Sequence, residues 1–387
     1  MLKAFIKFLG GEEGEETKMW LLLGLGFFMG VFLATYQIGS ESLFLQKLGE
    51  DYLDKAFFVT GFLGIATTAL YVYLQARINF SSLVISNAFL IFLFVSGIRA
   101  VFYYIDYESY TGFQYLPFIL FVMMGPVTAL TLLNFWGTFG RLFDTKQAKR
   151  IIGGIDTGQL TATMIAFFSI PLITKLPFID ATYDLLFVSG IAAFGIFIFV
   201  TYIVFYWNLD KATKRKPGES IETVKYGTIA KDPYTRLLSL FLIFSVGVAV
   251  FVDFTFYSTT EVMFTDPETH QIEEEKLNTF LSFFSGTIII MSFIIQSFIN
   301  DIIIGKFGLK IALMTMPVIL ILFTIGGIVT GHIFGFEERT DDFLLFFMFT
   351  VSAKAFTASL RDALESPAFK LFFLPFNIKI RFDVQTR

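Results

Sequence analysis

Residues 134–163 read NFWGTFGRLFDTKQAKRIIGGIDTGQLTAT. This stretch completes one apolar run, passes through a short polar segment and begins another apolar run. Four cations stand between the two runs, namely Arg141, Lys146, Lys149 and Arg150. Lys and Arg collect in loops on the cytoplasmic side of a membrane. The stretch therefore predicts two spanning helices joined by a basic cytoplasmic loop, and it orients the chain in the membrane.

The composition supports this interpretation. Of 387 residues, 55% are hydrophobic and 16% are charged, and the mean hydropathy is +0.70. A soluble domain has about 25% charged residues, so the sequence predicts an all-α integral membrane protein in contact with a lipid bilayer. The sequence contains no Cys and two His, His270 and His332. We therefore expect no metal site, no cofactor, no nucleic-acid partner and no enzymatic activity.

Apolar segments long enough to cross about 30 Å of hydrocarbon recur ten times along the chain. We predict spanning helices at 19–38, 53–74, 82–105, 113–139, 151–172, 183–207, 236–262, 278–300, 309–332 and 343–366.

The charges of the connecting loops alternate in sign. Basic residues occupy every second loop: Arg77, the cluster of four cations quoted above, the segment KATKRKPGESIETVKYGTIAKD (211–232), and Lys306 with Lys310. Acidic residues dominate the loops between them, with Asp51, Asp106, Glu108, Asp180 and the segments 265–276 and 336–342. This pattern predicts a cytoplasmic N-terminus. The expected location of the chain is the bacterial inner membrane.

The order of the segments indicates an architecture. A cytoplasmic tail (1–18) precedes six helices (19–207), a basic cytoplasmic linker (208–235) and four more helices (236–387). Two six-helix halves joined by such a linker form the major facilitator-type helical bundle. We expect two further helices after Arg387, giving twelve in the complete protein. The alternative is an unusual protein of ten helices.

Ionisable residues inside the predicted helices are the candidates for a substrate site, since a charge there costs about 2.5–3.5 kcal/mol. Asp253 lies inside helix 7, and Lys354 and Arg361 lie two turns apart on one face of helix 10. The two cations suit a phosphate or another small anion. Asp253 suits a proton, a cation or an amine. The alternatives are a structural ion pair for Asp253 and a place at the cytoplasmic helix end for Arg361.

Polar residues in the first six helices complete the predicted site. Glu41 is predicted to end helix 1, with Gln37 and Ser40 on the same face, either lining a cavity or facing external water. Asn134, at the start of the quoted stretch, is also assigned to substrate binding. Arg99 is interpreted as a structural or snorkelling cation.

The quoted stretch resembles the ATP/ADP translocase (nucleotide transporter) family. In that family a helix ends in Phe-Trp, a short acidic segment follows, and E-A-K-R-F-Y comes next. Here Phe135 and Trp136, Asp144 and the QAKR of 147–150 stand in the same order.

A second resemblance covers 365–387, ESPAFKLFFLPFNIKIRFDVQTR. It is similar to the exit of helix 10 in the same family, with Pro367 and Pro375 at a corresponding separation. The two resemblances fall at equivalent ends of helices 4 and 10.

The resemblance implies nucleotide exchange by alternating access, with a site between helices 1, 4, 7 and 10. It places Asp253 at the family's helix-7 acid and Arg361 at its helix-10 lysine. Ser40 stands where the family has a lysine, and Met124 where it has an acid. The implied substrate is therefore a nucleotide or a related phosphorylated or anionic metabolite.

Two other functions stay open at the level of sequence. One is a proton-coupled transporter of another solute that uses Asp253. The other is a transporter-like membrane domain that anchors or regulates a soluble module beyond Arg387.

Overall fold

A computed structural model describes residues 6, 9–12, 14–104, 115–177, 179, 181–207, 209–210, 232–334 and 341–372. Every regular element of this part of the chain is helical. Several segments with predictions lie outside the described residues. They are residues 1–5, 7–8 and 13 of the tail, most of the linker 208–235, the loop residues Asp106, Glu108 and Asp180, the acidic segment 336–340, and 373–387 with Pro375.

Ten long helices form the fold. They are α1 (Glu16–Lys47), α2 (Leu53–Gln75), α3 (Phe80–Tyr104), α4 (Leu116–Leu142), α5 (Thr145–Ile173), α6 (Leu185–Tyr206), α7 (Pro233–Phe264), α8 (Glu274–Ile294), α9 (Gly308–Phe334) and α10 (Asp341–Leu360). Ten helices in the described residues are long and apolar enough to cross a membrane, which confirms the predicted number of spans. The chain is therefore an all-helical protein of the multi-pass membrane class.

The chain divides into two compact units. Unit 1 comprises Met1–Lys214 and Gln271–Gly286, and unit 2 comprises Arg215–His270 and Thr287–Arg387. The first part of α8 thus belongs to unit 1.

Helix α1 is the centre of unit 1, where it packs against α4, α5 and α6. Met29, Phe32 and Tyr36 are fully buried at helical spacing on this helix. A Cβ atom at Gly30 would lie 2.6 Å from the backbone nitrogen of Thr163. Only a residue without a side chain permits this approach of α1 to α5. The remaining pairs of unit 1 include α3 against α6 and α2 against α4.

Helix α10 is the centre of unit 2, where it packs against α7 and α9. Three π-helical segments continue the long helices, at Ile295–Ile299, Ile303–Phe307 and Arg361–Glu365. The first of these segments packs against the third. Such π turns insert an extra residue into a helix and are frequent at functional sites.

Two predicted helix ends were wrong. Helix 1 does not end near Glu41 but continues to Lys47, with Ser40, Glu41 and Ser42 buried. Buried backbone groups need hydrogen bonds, which the helix supplies. Helix 5 begins at Thr145 rather than at 151. The predicted basic loop therefore shrinks to two residues, and its four cations stand on the facing ends of α4 and α5.

Candidate functional site

An ion pair joins α7 and α10 inside unit 2. Lys354 Nζ lies 2.6 Å from Asp253 Oδ1, and the two side chains are 18% and 30% exposed. Both residues stand within membrane-length helices, where the opposite charge offsets the cost of inserting each ion. Asp253 therefore has a cationic partner on another helix. This is the structural ion pair that the sequence analysis gave as the alternative role of Asp253.

The two cations predicted on one face of helix 10, Lys354 and Arg361, have an acidic neighbour, Asp362. Arg361 is half-buried and opens the π-helical segment Arg361–Glu365. The carboxylate of Asp362 interacts electrostatically with both Arg361 and Lys354. The two cations therefore stand in a mixed-charge cluster on α10 rather than in a purely positive stripe.

A second polar contact joins the same two helices. The Ser245 hydroxyl donates a hydrogen bond to Glu365 Oε1, and both residues are buried. Asp253 follows Ser245 on α7, whereas its partner Lys354 precedes Glu365, so α7 and α10 are antiparallel. Glu365 was not among the predicted site residues. An acid inside a membrane-length run was the signal that could have identified it.

Three predicted site residues lie on α1 within unit 1. Ser40 and Glu41 are buried, and Gln37 is partly buried. Glu41 is 3% exposed and accepts a hydrogen bond of 2.9 Å at Oε1 from Gln37 Nε2. Ser40 is fully buried beside them. Of the two alternatives for Glu41, exposure to external water is wrong, because tertiary packing encloses the second half of α1.

Asn134 bridges α4 to α3. Its Oδ1 accepts a hydrogen bond of 3.0 Å from Asn87 Nδ2, and its own Nδ2 donates to the Val84 carbonyl at 3.4 Å. Asn134 is 2% exposed. These contacts use its amide in helix packing within unit 1. Asn87 was not identified from the sequence, although a lone Asn in an apolar helix is a signal for interhelical hydrogen bonding.

The quoted stretch has a local structural role at the start of α5. Asp144 Oδ1 accepts hydrogen bonds from the backbone nitrogens of Lys146 and Gln147 at 2.8 and 2.9 Å. Gln147 Oε1 accepts one from the Asp144 nitrogen at 3.1 Å. This reciprocal pair is a capping box. The hydrogen bond from the Gln147 amide, followed by that from Lys146, lowers the pKa of the Asp144 carboxyl below its ordinary value.

Two of the four cations between α4 and α5 make specific contacts. Arg141 lies over the ring of Phe80, with Cζ 3.5 Å from the ring centroid. Arg150 pairs with Glu12 and with Glu15, whose side chain is 7% exposed. Lys146 and Lys149 are exposed. The cluster therefore holds the segment before α1 against the start of α5.

Arg99 forms a structural ion pair, which was one of the two roles predicted for it. Its Nη2 forms an ion pair with Asp184, and the two side chains are 16% and 7% exposed. Its guanidinium carbon also lies 5.4 Å and 5.3 Å from the ring centroids of Tyr103 and Tyr183. This pair ties α3 to the turn before α6.

A polar cluster around Thr182 was not foreseen. The Thr182 hydroxyl accepts hydrogen bonds of 3.0 Å from Gln46 Nε2 and from Asn278 Nδ2, and donates one of 2.9 Å to Glu274. All its hydrogen-bonding capacity is thus used. Within unit 1, the cluster joins the start of α8 to α1 and to the turn before α6. Each member is an ordinary polar residue near a helix end, so spacing along the sequence contains no signal for it.

The described residues hold no group of three or more His, Asp or Glu side chains that could bind a metal ion. No protein-family model matches the chain, and no curated protein sequence is significantly similar to it.

Proposed function

We propose that the chain is a secondary active transporter of the major facilitator architecture. It carries a nucleotide or a related phosphorylated or anionic metabolite by alternating access, in exchange or symport. The membrane is the bacterial inner membrane, and the N-terminus is cytoplasmic. The observation that carries the proposal is the partly exposed ion pair of Lys354 and Asp253 inside two membrane-length helices.

The chemistry of the pair supports an anionic substrate. Lys presents three donors, and Asp253 occupies one donor direction of Lys354. An arriving phosphate oxygen competes with the Asp253 carboxylate for the same ammonium group. Arg361, two turns further along α10, supplies a second cation for the same anion. Asp253 then acts as the counter-charge that holds Lys354 when the site is empty.

Transport by proteoliposomes tests this proposal. Liposomes containing the full chain and internal nucleotide should take up labelled nucleotide from outside. Arg361→Ala should lower the uptake rate about tenfold or more, because a charge-assisted hydrogen bond of about 1.5–3 kcal/mol is lost.

The matched control is Lys276→Ala. Lys276 is an exposed cation that pairs with Glu273 one turn before it, and its removal should leave uptake unchanged. Absence of nucleotide-dependent flux in the unmodified protein would remove the nucleotide part of the proposal.

The second candidate is a transporter of another solute driven by protons. The partial exposure of the Asp253 carboxylate favours it, since a coupling group must exchange protons with water. In that case a pH gradient should drive uptake, and Asp253→Asn should abolish the dependence on the gradient while Lys276→Ala retains it. Nucleotide exchange that is indifferent to the gradient would exclude this candidate.

A further inference from the structure

An open groove of about 520 Å³ runs between α3 and α6 in unit 1. Its volume lies within the range of small-molecule sites, about 300–1,000 Å³. Its walls are almost entirely apolar and are formed by Phe92, Ala100, Leu186, Phe187, Ile191 and Phe194.

The groove opens on an apolar surface. Phe187, Ile191 and Phe194 line it from α6 and are 48%, 54% and 45% exposed. Apolar side chains exposed on a membrane-length helix contact the hydrocarbon of the bilayer. The space between α3 and α6 is therefore accessible from the lipid.

One end of the groove is polar and aromatic. Arg99, Tyr103 and Tyr104 line this end, and the tyrosines are 70% and 81% exposed. Tyrosines of spanning helices concentrate at the level of the lipid headgroups. Arg99 uses Nη2 for Asp184, whereas its Nε and Nη1 have no hydrogen-bond partner among the described residues.

We propose that this groove binds a phospholipid. One acyl chain lies along the apolar walls, and the phosphate accepts a hydrogen bond from Nη1 of Arg99, at the tip of the side chain. The positive charge of the guanidinium strengthens a hydrogen bond to an anionic phosphate oxygen. The ring of Tyr103 covers the guanidinium, and its exposure leaves it room to turn aside when the headgroup binds.

A second groove of the protein lacks this combination. It measures about 340 Å³ between α7, α9 and α10 in unit 2, and none of its lining residues is charged. An apolar groove alone holds hydrocarbon without selecting a headgroup. Of these two grooves, the one that contains Arg99 therefore has the charged group that can recognise a phosphate. This site is independent of the proposed transport function, since none of its residues belongs to the proposed substrate site.

Native mass spectrometry of the full chain in detergent tests the site. The protein is titrated with phosphatidylglycerol or with diacylglycerol of the same acyl chains, which lacks the phosphate. We expect one phosphatidylglycerol to bind in preference to diacylglycerol. Ala100→Trp, which fills the groove from an exposed position on α3, should abolish this binding. Ala69→Trp, at an exposed position on α2 outside the groove, should retain it.

A second pair of variants distinguishes loss of the lipid site from a folding defect of Ala100→Trp. Ile191→Trp fills the groove from α6, and Ile198→Trp places the same residue further along α6 outside the groove. We expect loss of the lipid in the first and retention in the second, with equal thermal unfolding temperatures.

The guanidinium is tested by Arg99→Lys, which keeps a positive charge opposite Asp184 but removes the planar donors. We expect about tenfold weaker binding of phosphatidylglycerol and unchanged binding of diacylglycerol. Equal binding of the two lipids by the unmodified protein would overturn the proposal. So would retention of phosphatidylglycerol at the unmodified level by both Ala100→Trp and Ile191→Trp.

Discussion

Asp253 and Lys354 illustrate how membrane-length helices accommodate opposite charges. Each ion alone would be poorly solvated in its helix, whereas together they form a contact of 2.6 Å that is still partly exposed. Removing one partner leaves the charge of the other unpaired inside the helices. Removing both partners leaves no unpaired charge. The stability of the pair is therefore a property of the two residues together.

We predict that Lys354→Ala lowers the free energy of unfolding by about 1–3 kcal/mol, since it leaves the Asp253 carboxylate without its hydrogen-bond partner. The double variant Asp253→Ala with Lys354→Ala should recover most of this loss. Thermal unfolding in detergent measures both. Lys276→Ala, which removes an exposed ion pair, should change stability by no more than about 1 kcal/mol. Strictly additive effects of the two single substitutions would contradict the pairing.

At the scale of the element, α5 begins where its sequence supplies a capping box. Asp144 and Gln147 satisfy backbone donors that a helix start would leave without partners. The segment QAKR thus performs two local tasks, because Gln147 completes the cap and Arg150 binds Glu12 and Glu15. These tasks explain the residues of this motif without reference to a substrate.

The cap should depend on pH. Hydrogen bonds from the Gln147 and Lys146 amides hold the pKa of Asp144 below its ordinary value, which is about 3.9 in an unfolded chain. The ionised Asp144 carboxylate therefore stabilises the start of α5 fully above the unfolded pKa of about 3.9. This stabilisation is lost as the pH falls through the lower pKa of the folded protein.

Hydrogen-exchange protection of the Lys146 and Gln147 amides should accordingly fall between about pH 5 and pH 2. Asp144→Asn keeps a capping side chain that does not titrate, so its protection should stay constant over the same range. A parallel fall of protection in both proteins would show that another group is responsible.

At the scale of the whole molecule, the loop charges predict the orientation of the helices in the membrane, and labelling tests this prediction. The natural chain contains no Cys, so single cysteines introduced at exposed positions report their side of the membrane. A membrane-impermeant maleimide should label Asp51→Cys in intact cells. It should label Lys149→Cys only after the membrane is opened, because the loop charges predict that these cations lie on the cytoplasmic side. The reverse pattern would refute the predicted orientation.

The agreement between prediction and structure differs from helix to helix. Helix α2 was predicted at 53–74 and is observed at Leu53–Gln75, and few of its residues are buried. Its extent follows from local hydropathy. Helix α1 exceeds its predicted end by nine residues, since it continues from 38 to Lys47. Its polar second half is enclosed by other helices, and this enclosure cannot be read from a local window of sequence.

The sequence by itself determined the membrane class and the ten spans, because insertion of a helix depends on the hydropathy of about 20 consecutive residues. The tertiary structure alone decided which polar groups meet. Asp253 and Lys354 are 101 residues apart in the chain, and Thr182 joins Gln46 to Asn278. Such contacts depend on how helices pack in three dimensions, and the spacing of residues along one helix carries no information about its neighbours.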